Sequence, residues 1–126
     1  MSDIKDNLKY TQTHEWVNFD NAIATVGITD QAQHLLGELV YVELPEQGRE
    51  VSMGEEICVV ESTKAASDVY APIAGKIIAV NDALEEHPEL VNQSPYADGW
   101  LFKIEPNNPN EIDQLMTPAD YKNSLD

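Results

Sequence analysis

Short apolar segments, each followed by a glycine, a proline or a polar turn, constrain the fold of this chain most strongly. Ile23–Ile28 alternates in polarity, and residues 39–44 and 76–80 have the composition of strands. Pro45 stops the second of these segments, and Gln47-Gly48 predicts a turn behind it. Short strands separated by such turns are typical of small barrels and sandwiches. The sequence therefore predicts a mainly β fold.

One predicted hairpin carries a lysine at its tip. Residues 57–62 alternate, residues 69–71 resume the apolar pattern, and Lys64 lies between the two arms. The side chains next to Lys64 are all small, so an enzyme could reach its ammonium from several sides. On this turn alone, an ordinary surface lysine is the simpler interpretation, because short motifs often match by chance.

The N-terminal part predicts a second hairpin and one short helix. Residues 9–19 lead into the turn signal Asp20-Asn21 before the strand that follows. A helix is predicted over residues 31–36, where Thr29 or Asp30 can cap its beginning and Gly37 can end it.

The C-terminal part predicts little regular structure apart from one strand and two short helices. Residues 81–99 read mostly as loop, with one helical turn near residues 89–90, and residues 100–104 close the sheet as an apolar strand. One helix is expected over residues 110–116, and another begins where Thr117 caps Pro118.

Length and charge exclude several classes of protein. A chain of 126 residues suits one domain, expected here as a core over about residues 8–105 and short helices over about 110–125. Its formal net charge of −16 repels nucleic acid and anionic membranes. The start lacks the apolar core of a signal peptide. We expect a soluble protein of the cytoplasm or, after removal of a presequence, of the mitochondrial matrix.

The residues offer few means of catalysis. His14, His34 and His87 are far apart in the sequence, and the single cysteine, Cys58, lies in an apolar segment that favours burial. Motifs for nucleophiles, phosphates and dinucleotides are missing from the sequence. Lys64 suits a carrier, because a cofactor on a flexible tether has a high effective concentration at each docked enzyme. The chain is therefore predicted to carry or bind and not to catalyse.

The segment around Lys64, Glu61-Ser62-Thr63-Lys64-Ala65-Ala66-Ser67-Asp68, resembles the lipoylation motif of the glycine cleavage system H protein family. Thr63 stands where that family often has valine. The resemblance spans roughly residues 8 to 122 and includes segments on both sides of the motif, namely Tyr10, Thr13-His14-Glu15-Trp16-Val17, Thr25-Val26-Gly27-Ile28-Thr29-Asp30, Ala32-Gln33, Leu36-Gly37, Val42-Glu43-Leu44-Pro45, Ala71-Pro72, Gly75, Asn92, Ser94-Pro95-Tyr96 and Gly99-Trp100.

The resemblance implies a barrel-sandwich hybrid fold, of the lipoyl and biotinyl type, with lipoate attached to Lys64 between the motif residues Glu61 and Ala65. It also implies a cleft, at Thr13, Glu15 and Asp68, that holds the aminomethyl-bearing arm. The implied partners are a pyridoxal-phosphate glycine decarboxylase, a tetrahydrofolate-dependent aminomethyltransferase, a dihydrolipoyl dehydrogenase and a lipoate-attaching enzyme. The protein is expected to be a monomer.

Other carriers and one different class of protein compete with this interpretation. A biotinyl domain would have methionines beside the lysine, where Thr63 and Ala65 stand. The lipoyl domain of a 2-oxo acid dehydrogenase would lack the Thr-His-Glu-Trp and Ser-Pro-Tyr segments. An unmodified module that binds basic proteins through its acidic surface is the alternative from another class. Relay of lipoate to other lipoyl domains is a further role that the sequence leaves open.

Overall fold

Two antiparallel sheets form the protein over residues 3–125, the part of the chain that the computed structural model describes. The described strands are β1 (Lys9–Tyr10), β2 (Glu15–Asp20), β3 (Ile23–Ile28), β4 (Leu39–Glu43), β5 (Glu50–Val51), β6 (Glu56–Ser62), β7 (Ala66–Tyr70), β8 (Gly75–Val80) and β9 (Phe102–Pro106). One sheet has the order β1-β2-β3-β9-β8-β5, and the other has the order β4-β6-β7. The predicted mainly β architecture is confirmed.

Short helices connect and flank the strands. Their bounds are α1 (Asp30–Leu36), α2 (Ala83–Glu86), α3 (Leu90–Gln93), a 3-10 helix (Pro109–Gln114) and α4 (Pro118–Leu125). Helix α1 begins as predicted, because the Thr29 hydroxyl accepts a hydrogen bond from the Ala32 N–H at 3.2 Å. It ends at Gly37, whose φ of 83° is a conformation that favours glycine.

The predicted turn between β2 and β3 lies at Asn21 and Ala22, both of which have positive φ. Positive φ at both central residues is typical of a tight two-residue hairpin turn, whose twist matches that of the strands. Asp20 pairs with Ile23 directly beside it, and this pairing fixes the register of the hairpin.

Two groups of buried side chains hold the elements together. The larger group includes Val26, Val60 and Phe102, so it joins both sheets. The smaller group consists of Leu8, Tyr10, Trp16 and Tyr121, which join α4 to β1 and β2. Cys58 is buried in the larger group, as its apolar neighbours predicted, and burial raises the pKa of its thiol to about 12.

The prediction was least accurate after residue 80. Helix α3 agrees with the helical turn expected near residues 89–90, and α4 begins at Pro118 as expected, whereas α2 lies in the expected loop. Strand β9 begins only at Phe102, and a 3-10 helix replaces the helix expected over residues 110–116. Side-chain amides organise this segment instead of strand pairing. The Asn81 amide donates to the carbonyls of Asp98 and Trp100, both at 2.8 Å. Such contacts leave no periodic pattern in the sequence, so the segment reads as loop.

Candidate functional site

Lys64 lies at the exposed tip of the hairpin formed by β6 and β7, as the sequence predicted. Ser62 closes the turn, since its N–H donates to the Ala65 carbonyl at 2.7 Å. The Ser62 hydroxyl also accepts hydrogen bonds from the N–H groups of Lys64 and Ala65, at 3.3 and 3.1 Å. The backbone under the lysine is therefore held by local hydrogen bonds, while the lysine itself extends from it.

The Lys64 side chain lies along the C-terminal end of α1. A methyl group on Gly37 would be 3.3 Å from the Lys64 Cε and 3.7 Å from its Nζ. The carbonyls at the end of a helix favour a cation. Among the residues that the structure describes, no carboxylate forms a salt bridge with Lys64. The motif residue Glu61 is half-buried and pairs with Ala66, whereas Ala65 is exposed in the turn.

Glu15 is a buried carboxylate at the beginning of β2, with only 1% of its surface exposed. Its Oε1 accepts hydrogen bonds from the hydroxyls of Thr11 and Thr13, both at 2.5 Å. Its Oε2 accepts one from the Tyr70 N–H of β7 at 3.3 Å. Burial raises the pKa of Glu15, and the donors oppose that change without cancelling it. The structure therefore brings two of the predicted cleft residues, Thr13 and Glu15, into direct contact.

His14, between those two residues, adopts a φ of 71°, which is uncommon for a residue with a side chain. Its ring Nδ1 lies 2.7 Å from the hydroxyl of Tyr121 in α4, and the same hydroxyl lies 2.7 Å from the Thr29 Oγ1. The His14 carbonyl accepts a hydrogen bond from the Thr29 N–H at 2.9 Å. Burial lowers the pKa of the imidazole. The C-terminal helix and the cap of α1 thus fix the turn that presents Thr13 and Glu15.

A depression of about 420 Å³ opens beside Glu15. Its lining is largely apolar, and Thr11, Thr13 and Glu15 are among its polar residues. Further lining residues are Tyr70 of β7 and Pro72 just after it, Met53 between β5 and β6, and Leu115 and Met116 just after the 3-10 helix. An apolar depression with one carboxylate can hold a flexible chain that ends in a cation.

Asp68 is exposed and lines a different depression, of about 310 Å³, together with Glu43 and Val59. It pairs with Val59 on β6, two residues before Tyr70 on β7. Two residues of a strand span about 7 Å. Asp68 is therefore near the Tyr70 N–H that contacts Glu15, but the two carboxylates line separate depressions.

Residues 3–125 offer neither a metal-binding cluster nor a membrane-spanning helix. No group of three histidine, cysteine or acidic side chains within this range could hold a metal ion. Within the same range, none of the helices has both the length and the apolar character needed to cross a bilayer.

Comparison with known proteins gives one consistent family. The model of the family described as "Glycine cleavage H-protein" matches residues 8–126. The glycine cleavage system H protein of Saccharophagus degradans is 50% identical over 100% of this chain and 98% of its own length. That of Alteromonas mediterranea is 54% identical with the same coverage. The mitochondrial H protein of Oryza sativa subsp. indica is 53% identical over 95% of this chain and 73% of its own length.

A solved structure confirms the fold. The crystal structure of a glycine cleavage system H protein from Mycobacterium marinum superposes with a TM-score of 0.90 at 38% sequence identity. The match covers 97% of this chain and 98% of the other. The two sheets with their short helices are thus consistent with the barrel-sandwich hybrid implied by the resemblance.

Proposed function

The chain belongs to the glycine cleavage H-protein family, whose members are lipoyl carriers of the glycine cleavage system. We propose that Lys64 is the attachment residue and carries lipoate through an amide. The exposed position of Lys64, on a turn held by Ser62, is the observation that carries the proposal. Thr63 and Ala65 leave the ammonium accessible, because both side chains are small and exposed.

The bound lipoate supplies a disulfide that accepts the aminomethyl group of glycine and, once reduced to a dithiol, gives its electrons to a flavoenzyme. In the proposed cycle the partners are the glycine decarboxylase, the tetrahydrofolate-dependent aminomethyltransferase and the dihydrolipoyl dehydrogenase. A lipoate-attaching enzyme modifies Lys64 beforehand. The chain itself is a non-catalytic carrier, acting as one domain and as a monomer.

The surroundings of Glu15 support a cleft for the aminomethyl cargo. The protonated amine is a cation, and the buried Glu15 carboxylate can accept a charge-assisted hydrogen bond from it. The Thr13 hydroxyl donates to the Glu15 carboxylate, and its oxygen can accept a hydrogen bond from the protonated amine. The apolar lining excludes water that would otherwise hydrolyse the cargo. In this proposal Asp68 adds a second negative charge, two residues before Tyr70 on β7.

The attachment is tested by intact-mass measurement. The purified full chain is incubated with lipoate, ATP and a lipoate ligase, with Lys64→Ala as the matched variant. We expect one lipoyl increment on the wild-type protein, none on the variant, and glycine cleavage in reconstitution only with the modified wild type. An increment retained by Lys64→Ala, or a biotinyl increment, would overturn the proposal.

The proposed cellular location depends on whether the chain comes from a bacterium or from a mitochondrion. The protein is proposed to act in the bacterial cytoplasm, or in the mitochondrial matrix if a presequence was removed; the rice relative carries "mitochondrial" in its name. Subcellular fractionation with an antibody against the chain tests this assignment.

A further inference from the structure

Three large apolar side chains are exposed close to Lys64. Leu35, Val40 and Tyr41 have 60%, 53% and 50% of their surfaces exposed. We call these three residues the 35–41 patch. Isolated exposed apolar residues are ordinary, but several of them together indicate a contact surface.

A β-bulge accounts for two of these exposures. Leu39 pairs with Ser62 and Tyr41 pairs with Glu61, so Val40 is the extra residue on β4. The bulge separates the buried residues Leu39 and Val42 by two outward residues, Val40 and Tyr41. Regular alternation would leave only one outward residue between buried neighbours. The bulge thus enlarges the apolar surface beside the lysine.

The patch lies within the area that any enzyme acting on the Lys64 amine must cover. Consecutive Cα atoms are about 3.8 Å apart, so Leu35, Val40 and Tyr41 lie at most about 8, 11 and 15 Å from Gly37. Gly37 is the residue along which the lysine lies. A standard interface covers about 800 Å² on each partner, which as a disc has a radius of about 16 Å.

Three carboxylates lie beside the patch. Glu38 follows the residue that contacts Lys64, Glu43 is exposed at the end of β4, and Glu61 faces Tyr41 across the strands. Among the described residues, none of these three carboxylates forms a salt bridge. An apolar centre with an acidic rim is complementary to an apolar surface rimmed by lysine or arginine.

We propose that the 35–41 patch is the docking surface for the enzyme that attaches lipoate to Lys64, and that this enzyme presents an apolar surface with a basic rim. The inference rests on the proposed function. The attaching enzyme is the expected partner because only that enzyme must bring its active site to Nζ itself. Enzymes that act on the finished arm meet its far end and need not cover this surface.

The step that docking serves is acyl transfer. The unprotonated Lys64 amine attacks the carbonyl carbon of a lipoyl adenylate, a carbon–nitrogen bond forms, and the bond to the phosphate oxygen breaks. The nucleotide monophosphate leaves, and the amine proton passes to solvent. The patch holds the two proteins together during this step and takes no chemical part in it.

The experiment measures initial rates of lipoyl attachment to the full-length unmodified chain, with a lipoate ligase, lipoate and saturating ATP. The test variant is Leu35→Ser combined with Tyr41→Ser, and the control is Phe19→Ser on the larger sheet, where 40% of Phe19 is exposed. We expect KM for the double variant to rise about tenfold or more, because a few large anchor side chains carry most of the binding energy of an interface and this variant truncates two of them. We expect kcat to stay within about twofold and the control to match wild type. Thermal unfolding of each variant checks its folding.

Each outcome has a defined meaning. A double variant with an unchanged KM, or with a lowered kcat alone, would overturn the docking surface. Normal lipoylation followed by slow glycine decarboxylation would also overturn it and would assign the patch to the decarboxylase. Absence of any modification on wild-type Lys64 would instead overturn the proposed function. A rise in the wild-type KM with salt is expected from the acidic rim.

Discussion

Tyr121 is the residue through which the C-terminal helix holds the turn before β2, and its hydroxyl can be removed without its ring. In Tyr121→Phe the ring remains stacked on Tyr10, at a centroid distance of 4.6 Å. The variant loses the contacts to His14 and Thr29, each at 2.7 Å. Any change can therefore be assigned to hydrogen bonding and not to packing.

The expected magnitude follows from what remains unpaired. Thr29 Oγ1 loses its hydrogen bond with Tyr121 but keeps the one from the Ala32 N–H, so it remains partly satisfied. The half-buried His14 Nδ1 loses its bonded neighbour, and a buried polar group without its partner costs about 1–3 kcal/mol. We expect the free energy of unfolding to fall by about 1–3 kcal/mol and Tm to fall by about 3–15 °C.

Urea unfolding at neutral pH measures this difference, and Tyr41→Phe is the matched control. Half of the surface of Tyr41 is exposed, so water can replace any partner of its hydroxyl. We expect the control to lose less than about 1 kcal/mol. Equal losses in the two variants, or no loss in Tyr121→Phe, would refute the conclusion that this hydroxyl fixes the turn.

Three further predictions concern buried groups near the site. Glu15 has a raised pKa, so its contribution to stability is fully present below the ordinary value of 4.5 and is lost as pH rises through the folded-state pKa. In urea unfolding at several pH values, the free energy of unfolding of Glu15→Gln should therefore increase relative to that of the wild type as pH rises. His14 has a lowered pKa, so its contribution to stability is fully present above pH 6.5 and is lost as pH falls through the folded-state pKa. In His14→Asn, where asparagine tolerates the positive φ, the free energy of unfolding should fall less steeply toward acid pH than in the wild type. Gly27→Ala places a methyl group 2.6 Å from the Trp16 ring, and calorimetry should show a loss of about 1–3 kcal/mol from overpacking.

Features with local causes were predictable from the sequence. Lys64 was placed at its hairpin tip because the apolar alternation stops on one side and resumes on the other. Thr29 and Gly37 mark the ends of α1, since a hydroxyl cap and a left-handed residue are needed within a few positions of a helix. The family resemblance added Glu15, whose burial no local pattern indicates.

Features that depend on distant contacts were not predictable. Tyr121 was expected only as part of a terminal helix, although its hydroxyl bonds to two residues near the site. The bulge at Val40 also escaped prediction, because it appears only when β4 is paired with β6. Asp68 was grouped with Glu15, and the two residues line separate depressions. Glu15 and Asp68 lie in different sheets, so their relative position depends on how the two sheets pack.

The contact between His14 and Tyr121 spans 107 residues of sequence. During synthesis the turn containing His14 leaves the ribosome well before its partner, which is made 107 residues later. The backbone of Tyr10 likewise forms two hydrogen bonds, at 2.9 and 2.8 Å, with Met116, which is also synthesised much later. A nascent chain can therefore build the lysine hairpin before it can complete the turn that presents Glu15. A premature stop before α4 would leave a chain with its attachment residue but with an unsupported cleft.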